Sequence, residues 1–271
     1  MRFQFDHLVH FVNDPKEAVQ LFRQQGVHAV EGGVHENRGT YNALSYFDLS
    51  YVEFLSAYDK KLIEERPNLA YSLIETVVND SYTEGFARIA IRTTQIEHDA
   101  EYFARQGLTV NGPVPLSRRR PDGSVVSWRL LYIGHPDQEL PLPFIIQWDE
   151  SDEERRSDLT DRGVIAPHPA GDLSLSFVAF AVKDAESTAA NWAKWLGLKP
   201  GEAYVDESLQ ARCQPLLLPG GNLVFASPIG IGGAVSEVLA ARGERAFLAG
   251  IAGGSAKGDQ KVLGGIYRFL D

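Results

Sequence analysis

One pattern occurs three times along the chain: a short strand, an amphipathic helix with a capped start, and a glycine where the helix ends. The copies begin at His7, Arg88 and Phe177, and they read HLVHFVND-PKEAVQLFRQQGV, RIAIRTTQ-IEHDAEYFARQGL and FVAFAVKD-AESTAANWAKWLGL. Internal repetition constrains the architecture more than any single motif, because equivalent positions occupy equivalent places in each unit. A chemical difference between equivalent residues therefore indicates a difference in role.

The first repeat extends into a βαβββ unit. Asp14 is a good N-cap, and Pro15 fits the first helical position, where its missing N–H costs nothing. Two strands are predicted over 41–47 and 51–56, from β-branched and aromatic residues between turn residues. The second repeat continues in the same way, with a strand over 125–133 and a last strand, PFIIQWD.

The acidic segment 149–172 carries prolines and glycines and is the best candidate for a linker between domains. We therefore predict one domain of paired units over 1–150 and a second over 165–271, with the third unit and a C-terminal extension. An odd number of units leaves the third one without a partner. It can pair with the C-terminal tail as a truncated fourth unit, pack on the first pair, or pair with its copy in a homodimer.

Composition excludes several classes of function. The net charge of −10 argues against nucleic-acid binding, which needs a basic face. The sequence contains no apolar run of about 18 residues, so no membrane span is predicted. It begins without the basic and apolar stretches of a secretory signal, and the single Cys213 cannot form an internal disulfide. We therefore expect a cytoplasmic protein with neither nucleic-acid nor membrane partners.

A series of motifs follows the repeats in a defined order. His7 lies in the opening strand, the segment H…GTYN begins at His35, and the strand YVEFL contains Glu53. Further on come RRRPDG from Arg118 and the strand FIIQW, which ends at Trp148. In this order and spacing, the sequence resembles the glyoxalase-like group of the vicinal oxygen chelate superfamily, which includes glyoxalase I, extradiol dioxygenases and bleomycin-resistance proteins.

The resemblance covers residues 5 to about 228 and implies an α+β fold. Tandem βαβββ modules would form a cup-shaped mixed sheet, followed by a third module and a C-terminal tail. It also implies lyase, isomerase or dioxygenase chemistry in the cup. The superfamily's usual metal ligands are a His from an opening strand and a Glu from a closing strand of both units. His7 and Glu53 occupy these positions in the first unit, and such donors suit Fe, Mn, Ni or Zn.

The second and third units depart from this pattern. Aligning the repeats places Arg88 opposite His7, and aligning the closing strands places Gln147 opposite Glu53. Arginine stays protonated and cannot be a metal ligand, and glutamine is a weak one at best. Phe177 occupies the His7 position of the third unit, which we therefore predict to be a structural copy without a site.

Three interpretations of the first two units follow. In one, His7 and Glu53 hold a divalent metal with a further ligand such as His10 or His35. In another, which also explains Arg88, there is no metal: Arg88 and Gln147 bind a substrate carboxylate or phosphate, and His7 and Glu53 act as a catalytic acid–base pair. In the third, Arg88 and Glu53 simply form an ion pair.

Other candidate substrate-binding residues lie near the predicted cup mouth. His35, Thr40 and Asn42 follow a glycine-rich stretch and either contact a ligand or form an ordinary turn. Trp148 either walls an apolar pocket or belongs to the core. The run Arg118–Arg120 is either a solvated hairpin tip or a cover for an anionic substrate.

We predict a glyoxalase-like enzyme for a small oxygenated or anionic organic molecule, which works by proton transfer or metal-assisted chemistry. The cofactor would be one divalent metal ion or none. The alternative is a non-catalytic small-molecule binder similar to the bleomycin-resistance proteins.

Overall fold

The structure is a computed structural model that describes residues 2–35, 38–65, 70–120 and 123–270. Pro121 and Asp122 of the RRRPDG motif lie outside the described residues. Within them the chain forms sixteen strands and seven helices, arranged as two eight-stranded sheets. None of the helices in these ranges combines the length and apolar character needed to cross a membrane.

The first sheet is built from the first two repeats. Its elements are β1 (Gln4–Phe11), α1 (Pro15–Gln24), β2 (Val30–His35), β3 (Thr40–Phe47), β4 (Ser50–Ala57), α2 (Lys60–Glu64), α3 (Leu73–Asn79), β5 (Gly85–Arg92), α4 (Ile96–Arg105), β6 (Thr109–Arg119), β7 (Val125–Gly134) and β8 (Phe144–Trp148). Strands β1 and β5 pair antiparallel at the centre, and each pairs in parallel with its own closing strand, β4 or β8. The sheet curls into a half-barrel, which confirms the predicted α+β fold of tandem βαβββ modules.

The second sheet contains the third repeat and the C-terminal tail. After α5 (Asp152–Asp161), its elements are β9 (Gly171–Ala181), α6 (Ala185–Leu196), β10 (Lys199–Pro200), β11 (Tyr204–Asp206), β12 (Ala211–Leu217), β13 (Asn222–Pro228), α7 (Gly233–Arg242), β14 (Arg245–Gly254), β15 (Gly258–Val262) and β16 (Gly265–Phe269). Strand β14 pairs antiparallel with β9 and parallel with β16, as β5 does with β1 and β8. The third unit is therefore paired with the tail.

The three repeated helices form where local signals predict them, but Gln95 at the start of α4 makes no side-chain capping bond, so the predicted cap is present in α1 and α6 alone of the three. The Asp14 side chain accepts a hydrogen bond from the Lys16 backbone at 2.9 Å, which confirms the predicted cap of α1. Asp184 caps α6 in the same way, and Gly197 ends that helix in the left-handed conformation, with φ of 66°. Each of the two helices buries one apolar face.

One apolar core joins the two sheets. It includes Leu8 of β1, Phe22 of α1, Val178 of β9, Trp192 of α6 and Tyr267 of β16, all of them buried. The helix-covered faces of the two sheets therefore pack towards each other. The opposite face of the first sheet, which is concave, is left to line a cavity.

The corresponding face of the second sheet is covered by α7. Val235 of this helix belongs to one apolar cluster with Ala179 and Val224, which occupy the positions of Val9 and Glu53 in the first unit. The ring of Phe177, which occupies the His7 position, lies so close to Gly250 that a Cβ there would overlap it. Apolar side chains thus fill this face of the second sheet.

Candidate active site

The half-barrel of the first sheet encloses a cavity of about 880 Å³. Cavities of about 300–1,000 Å³ are typical of small-molecule sites. Most of the wall is apolar, with Leu55, Leu130 and Phe144 among its residues, and a connected set of polar side chains interrupts it. His7 and Glu53 both belong to this polar set.

A β-bulge in β1 brings Asp6 next to His7. Side chains alternate along a regular strand, so these neighbours would ordinarily point to opposite faces. Here Phe5 pairs with Ile91 and His7 with Ala90, which leaves Asp6 as the extra residue of a bulge. The bulge interrupts the alternation of side chains along β1, so the Asp6 carboxylate can reach its neighbour. His7 Nδ1 lies 2.6 Å from Asp6 Oδ1.

Asp6 is fully buried and ionised. Burial alone would raise the pKa of Asp6, but the hydrogen bond to His7 and the positive charges of Arg155 and Arg92 outweigh it and hold the pKa below its usual value. Trp148 Nε1 donates a second hydrogen bond to this carboxylate, at 3.0 Å. A carboxylate can only accept at Nδ1, so Nδ1 of His7 carries the proton and Nε2 is left as the basic nitrogen.

Glu53 stands on the cavity side of His7. The distance from His7 Nε2 to Glu53 Oε2 is 3.8 Å, too long for a hydrogen bond. The other oxygen, Oε1, accepts from Asn42 Nδ2 at 2.6 Å. Asn42 is oriented in turn by the Gly33 backbone, which donates to its Oδ1 at 3.0 Å. Two proton-accepting groups therefore lie side by side at the cavity wall.

Aromatic rings surround the imidazole. The His7 ring stacks on Tyr51 with centroids 4.6 Å apart and meets the edge of Phe144 at 5.4 Å. Tyr46 stacks on the far side of Tyr51, at 4.4 Å. Burial raises the pKa of Tyr46 to about 12 and that of Tyr51 well above its usual value. Both phenols stay protonated at neutral pH and can serve as hydrogen-bond donors.

The structure does not place Arg88 at the cavity, which corrects its prediction as a substrate-binding residue. Its guanidinium donates to the Leu142 carbonyl, at 2.9 Å from Nε, and also to the Tyr71 carbonyl. It is buried there, and burial lowers the pKa of Arg88 to about 10. Because its donors are used by backbone carbonyls, Arg88 has a structural role rather than a pairing with Glu53.

Gln147 is also absent from the cavity lining, and its predicted equivalence to Glu53 is wrong. Val9 pairs with Glu53, and the residue of β5 equivalent to Val9 is Ala90, which pairs with Phe144. Phe144 therefore occupies the Glu53 position, three residues before Gln147. The amide of Gln147 instead accepts from the Ile96 backbone at 2.8 Å and caps α4.

The predicted mouth residues do line the cavity. His35 Nδ1 lies 2.9 Å from Thr40 Oγ1, and both side chains face the ligand space with Asn42 and Trp148. Burial lowers the pKa of His35, against an opposing effect of the Glu53 charge.

His10 lies on the other face of β1 and cannot serve as a metal ligand in the cavity. Its Nδ1 is 2.8 Å from the Tyr267 hydroxyl and its Nε2 is 2.9 Å from the Leu263 carbonyl. Burial lowers the pKa of His10 to about 4, against an opposing effect of the Leu263 bond. It is therefore a neutral core histidine.

Helix α5 lies in the segment that we interpreted as a linker, and it carries a site residue that sequence reasoning missed. Arg155 is 3% exposed and lines the cavity. Its Cζ lies 4.1 Å from the centre of the Trp148 ring, and its Nη1 is 3.8 Å from Asp6 Oδ2. The Ser151–Glu154 capping box that starts α5 is visible in the sequence as S-x-x-E. That signal predicts the helix but not the target of Arg155.

The donor set does not fit a firmly held metal ion. In the described part of the chain, no group of three or more His, Cys, Asp or Glu side chains is placed to hold one. His7 Nε2 and Glu53 give two donors, and Arg88 and Phe144 supply none at the equivalent positions of the second unit. Catalytic sites for zinc, for comparison, have three protein ligands.

A curled sheet of paired βαβββ units, with His7 and Glu53 on its concave face, defines a protein of the vicinal oxygen chelate class. The family described as Glyoxalase-like domain matches residues 5–196, and the chain belongs to that family.

Solved structures share the fold. A hypothetical protein from Staphylococcus aureus is 23% identical, with a TM-score of 0.78 over 99% of each chain. A mutant of 4-hydroxymandelate synthase from Streptomyces coelicolor is 12% identical, with a TM-score of 0.57 over 93% of this chain and 71% of that one. Among curated proteins, none matches the sequence.

Proposed function

We propose that the protein is an enzyme that transfers a proton on a small oxygenated or anionic organic molecule bound in the cavity. The observation that carries this proposal is the buried Asp6–His7 pair beside Glu53. A carboxylate fixes the imidazole tautomer, and the basic Nε2 lies next to a second proton acceptor at the wall of a ligand-sized cavity. Acid–base catalysis needs this arrangement of a positioned base and a nearby proton carrier.

The chemistry proposed is proton abstraction from a carbon next to a carbonyl group. His7 Nε2 removes the proton, the electron pair of the C–H bond forms a C=C bond, and the π pair of the carbonyl moves onto its oxygen to give an enolate. The same proton, or one carried by Glu53, returns to the same carbon and the carbonyl is restored, so neither an oxidant nor a reductant is needed. The phenols of Tyr46 and Tyr51 stay protonated, which keeps this end of the cavity supplied with donors.

The proposal requires no metal ion. The resemblance to the superfamily implies Fe, Mn, Ni or Zn, and His7 Nε2 with Glu53 would be the donors. Metal analysis of untagged protein purified without chelator checks this directly. We expect less than stoichiometric metal, and no difference between the natural chain and Glu53→Ala. Stoichiometric metal that is lost in Glu53→Ala would overturn the metal-free mechanism.

Deuterium exchange tests the proton transfer without knowledge of the natural substrate. A panel of 2-hydroxyaldehydes, 2-hydroxyketones and 2-oxo acids is incubated with the protein in D₂O, and loss of the α-proton signal is followed by NMR. We expect exchange of at least one compound by the natural chain, and loss of that exchange in His7→Gln and in Glu53→Gln. His98→Gln, an exposed histidine on α4, is the matched control and should keep full exchange.

A non-catalytic binding protein is the second candidate, and the size and apolar wall of the cavity favour it. A binder would show no exchange of any compound, and His7→Gln would leave ligand affinity nearly unchanged. An enzyme would lose turnover in His7→Gln and keep part of its binding. Deuterium exchange and ligand affinity, both measured in the natural chain and in His7→Gln, thus separate the two candidates.

A further inference from the structure

The guanidinium of Arg155 is buried at the cavity beside Tyr46 and Asp6. Both of its terminal nitrogens are shielded from solvent, and neither has a hydrogen-bond partner of good geometry within the described residues, although the Tyr46 side chain interacts with the guanidinium. The Asp6 carboxylate is 3.8 Å from Nη1, beyond hydrogen-bond distance, and it already accepts from His7 and Trp148. Arginine is always charged in proteins, and a buried charge without hydrogen bonds is costly. An acceptor group is therefore expected at this position.

Several contacts fix Arg155 in place. The Ser151–Glu154 capping box starts α5, and the helix is tied to the half-barrel by three ion pairs: Arg92–Asp152 at 3.1 Å, Arg156–Asp48 at 2.6 Å and Arg120–Asp158 at 3.0 Å. The Trp148 ring supports the flat face of the guanidinium at 4.1 Å. The terminal nitrogens are thus held in one orientation, so a ligand that uses them loses little entropy of the side chain.

Arginines are the most frequent charged residues on the cavity lining. Among the described residues, five arginines and three glutamates line the cavity, although the chain as a whole has a net charge of −10. The arginines are Arg38, Arg118, Arg120, Arg155 and Arg162. Arg120 and Arg162 share the carboxylate of Asp158, whereas Arg118 bonds to the neutral amide of Asn42. When Asp158 and Asp6 are counted with the three glutamates, positive and negative groups balance, so the arginines offer local contacts to an anion rather than a positive field.

We infer that Arg155 binds the carboxylate or phosphate group of an organic anion whose apolar body fills the rest of the cavity. The inference rests on the proposed function, because it takes the same cavity as the substrate site. Arg155 and His7 both lie against Asp6, so the acid group is held at the His7 end. The apolar wall formed by residues such as Leu55, Leu130 and Ile146 receives the remainder of the molecule.

A pair of fluorescent probes tests this assignment. 8-Anilinonaphthalene-1-sulfonate has an apolar body and one anionic group, and N-phenyl-1-naphthylamine is the same body without the charge. We expect Arg155→Gln to raise the Kd of the sulfonate about tenfold or more. This is the loss of affinity that usually follows removal of a hydrogen bond to a charged group. The Kd of the neutral probe should stay the same. Arg155→Lys keeps the charge but not the paired donors and should give an intermediate loss.

Arg105→Gln is the control, because it removes the same charge from an exposed position on α4, away from the cavity lining. It should leave the Kd of both probes unchanged. Equal sulfonate affinity in Arg155→Gln and the natural chain would overturn the inference and leave Arg155 as a counter-ion of Asp6. Equal losses for both probes, or binding of neither by the natural chain, would overturn it as well.

Displacement of the bound sulfonate identifies the acid group. The competitors are 4-phenylbutyrate, octyl phosphate and the uncharged 4-phenylbutanamide. The carboxylate or the phosphate should displace the probe at a concentration at least about tenfold lower than the amide. The acid that displaces the probe at the lower concentration indicates the acid group of the natural ligand. Displacement by the amide at the same concentration as both acids would contradict the inference.

The outcome is separable from that of the proposed function. The two proposals rest on different side chains, because deuterium exchange depends on His7 and sulfonate affinity depends on Arg155. If Arg155→Gln weakens probe binding while no compound exchanges deuterium, the anion site stands and the enzymatic proposal fails. If exchange depends on His7 while Arg155→Gln binds the probe normally, the enzymatic proposal stands and the anion site fails.

Discussion

At the scale of single residues, the site depends on a hydrogen bond between two neighbours in one strand. Asp6 and His7 would face opposite sides of a regular strand, and the bulge opposite Ile91 and Ala90 brings their side chains together. The ionised carboxylate then sets which imidazole nitrogen is basic. The contact between these consecutive aspartate and histidine side chains therefore depends on a local irregularity of the backbone.

Asp6→Asn is expected to reduce deuterium exchange about tenfold to a hundredfold, in line with the loss of other groups that orient a histidine. The amide can donate to Nδ1 and so favours the tautomer with its proton on Nε2. The rate constant of exchange measures this. Asp137→Asn removes an exposed carboxylate from the loop after β7 and should change little. Equal rates in Asp6→Asn and the natural chain would contradict the role of Asp6.

His10 predicts a pH dependence of stability. Its pKa is about 4 in the folded state, against 6.5 for the ordinary side chain. The unfolded chain therefore binds a proton that the folded chain refuses, and stability is lost as pH falls from about 6.5 to about 4. The loss from this group approaches about 3 kcal/mol. In urea unfolding at a series of pH values, His10→Gln should show a smaller loss over that range, and an unchanged slope would contradict the prediction.

At the scale of elements, the two sheets differ in what covers their equivalent faces. The cavity side of the first sheet has α5 at its edge and stays hollow, whereas α7 and Phe177 fill the second. The same order of strands therefore supports a site in one half and a packed core in the other. The third unit and the tail pack against the first two units through one apolar core.

Gly250→Ala tests this packing. The new Cβ would overlap the Phe177 ring, so overpacking should destabilise the fold by about 1–3 kcal/mol. Combining it with Phe177→Leu should recover part of the loss, because the smaller side chain vacates that space. Urea unfolding measures both, and the affinity for the sulfonate probe should be the same in all variants; a fully stable single variant would show that the ring can move aside.

At the scale of the whole molecule, the helix-covered faces of both sheets contribute to one apolar core. Leu8 and Phe22 of the first repeat and Val178 and Trp192 of the third belong to it. Neither half can separate without exposing this surface to water, which costs about 25 cal/mol for each Å² of apolar area. We therefore expect the two sheets to unfold together.

A core truncation far from the cavity checks this cooperativity. Trp192→Ala should destabilise the chain by about 3–5 kcal/mol and lower the urea midpoint of both halves equally. Ligand-induced signals of Trp128 and Trp148 report on the first half, and backbone circular dichroism reports on the whole. Coincident transitions are expected. Loss of the second half at lower urea, with the probe still bound, would show two independent domains.

Local patterns in the sequence predicted much of the fold, because the interactions behind them are local. The caps at Asp14 and Asp184, the glycine that ends α6 and the apolar spacing of the helices act within a few residues, and the repeat implied the paired sheets. His7 and Glu53 could be placed on the cavity wall because each has an equivalent position in the superfamily's unit.

Only the tertiary structure decided which polar side chains meet. The bulge at Asp6 changes the alternation of β1 by one residue, and the register of β5 with β8 places Phe144 rather than Gln147 opposite Glu53. Arg88 turns to backbone carbonyls, while Arg155 reaches Asp6 across nearly 150 residues of sequence. Side-chain direction after a bulge, and contacts between distant segments, depend on how the sheet curls and what packs against it. No local pattern encodes them.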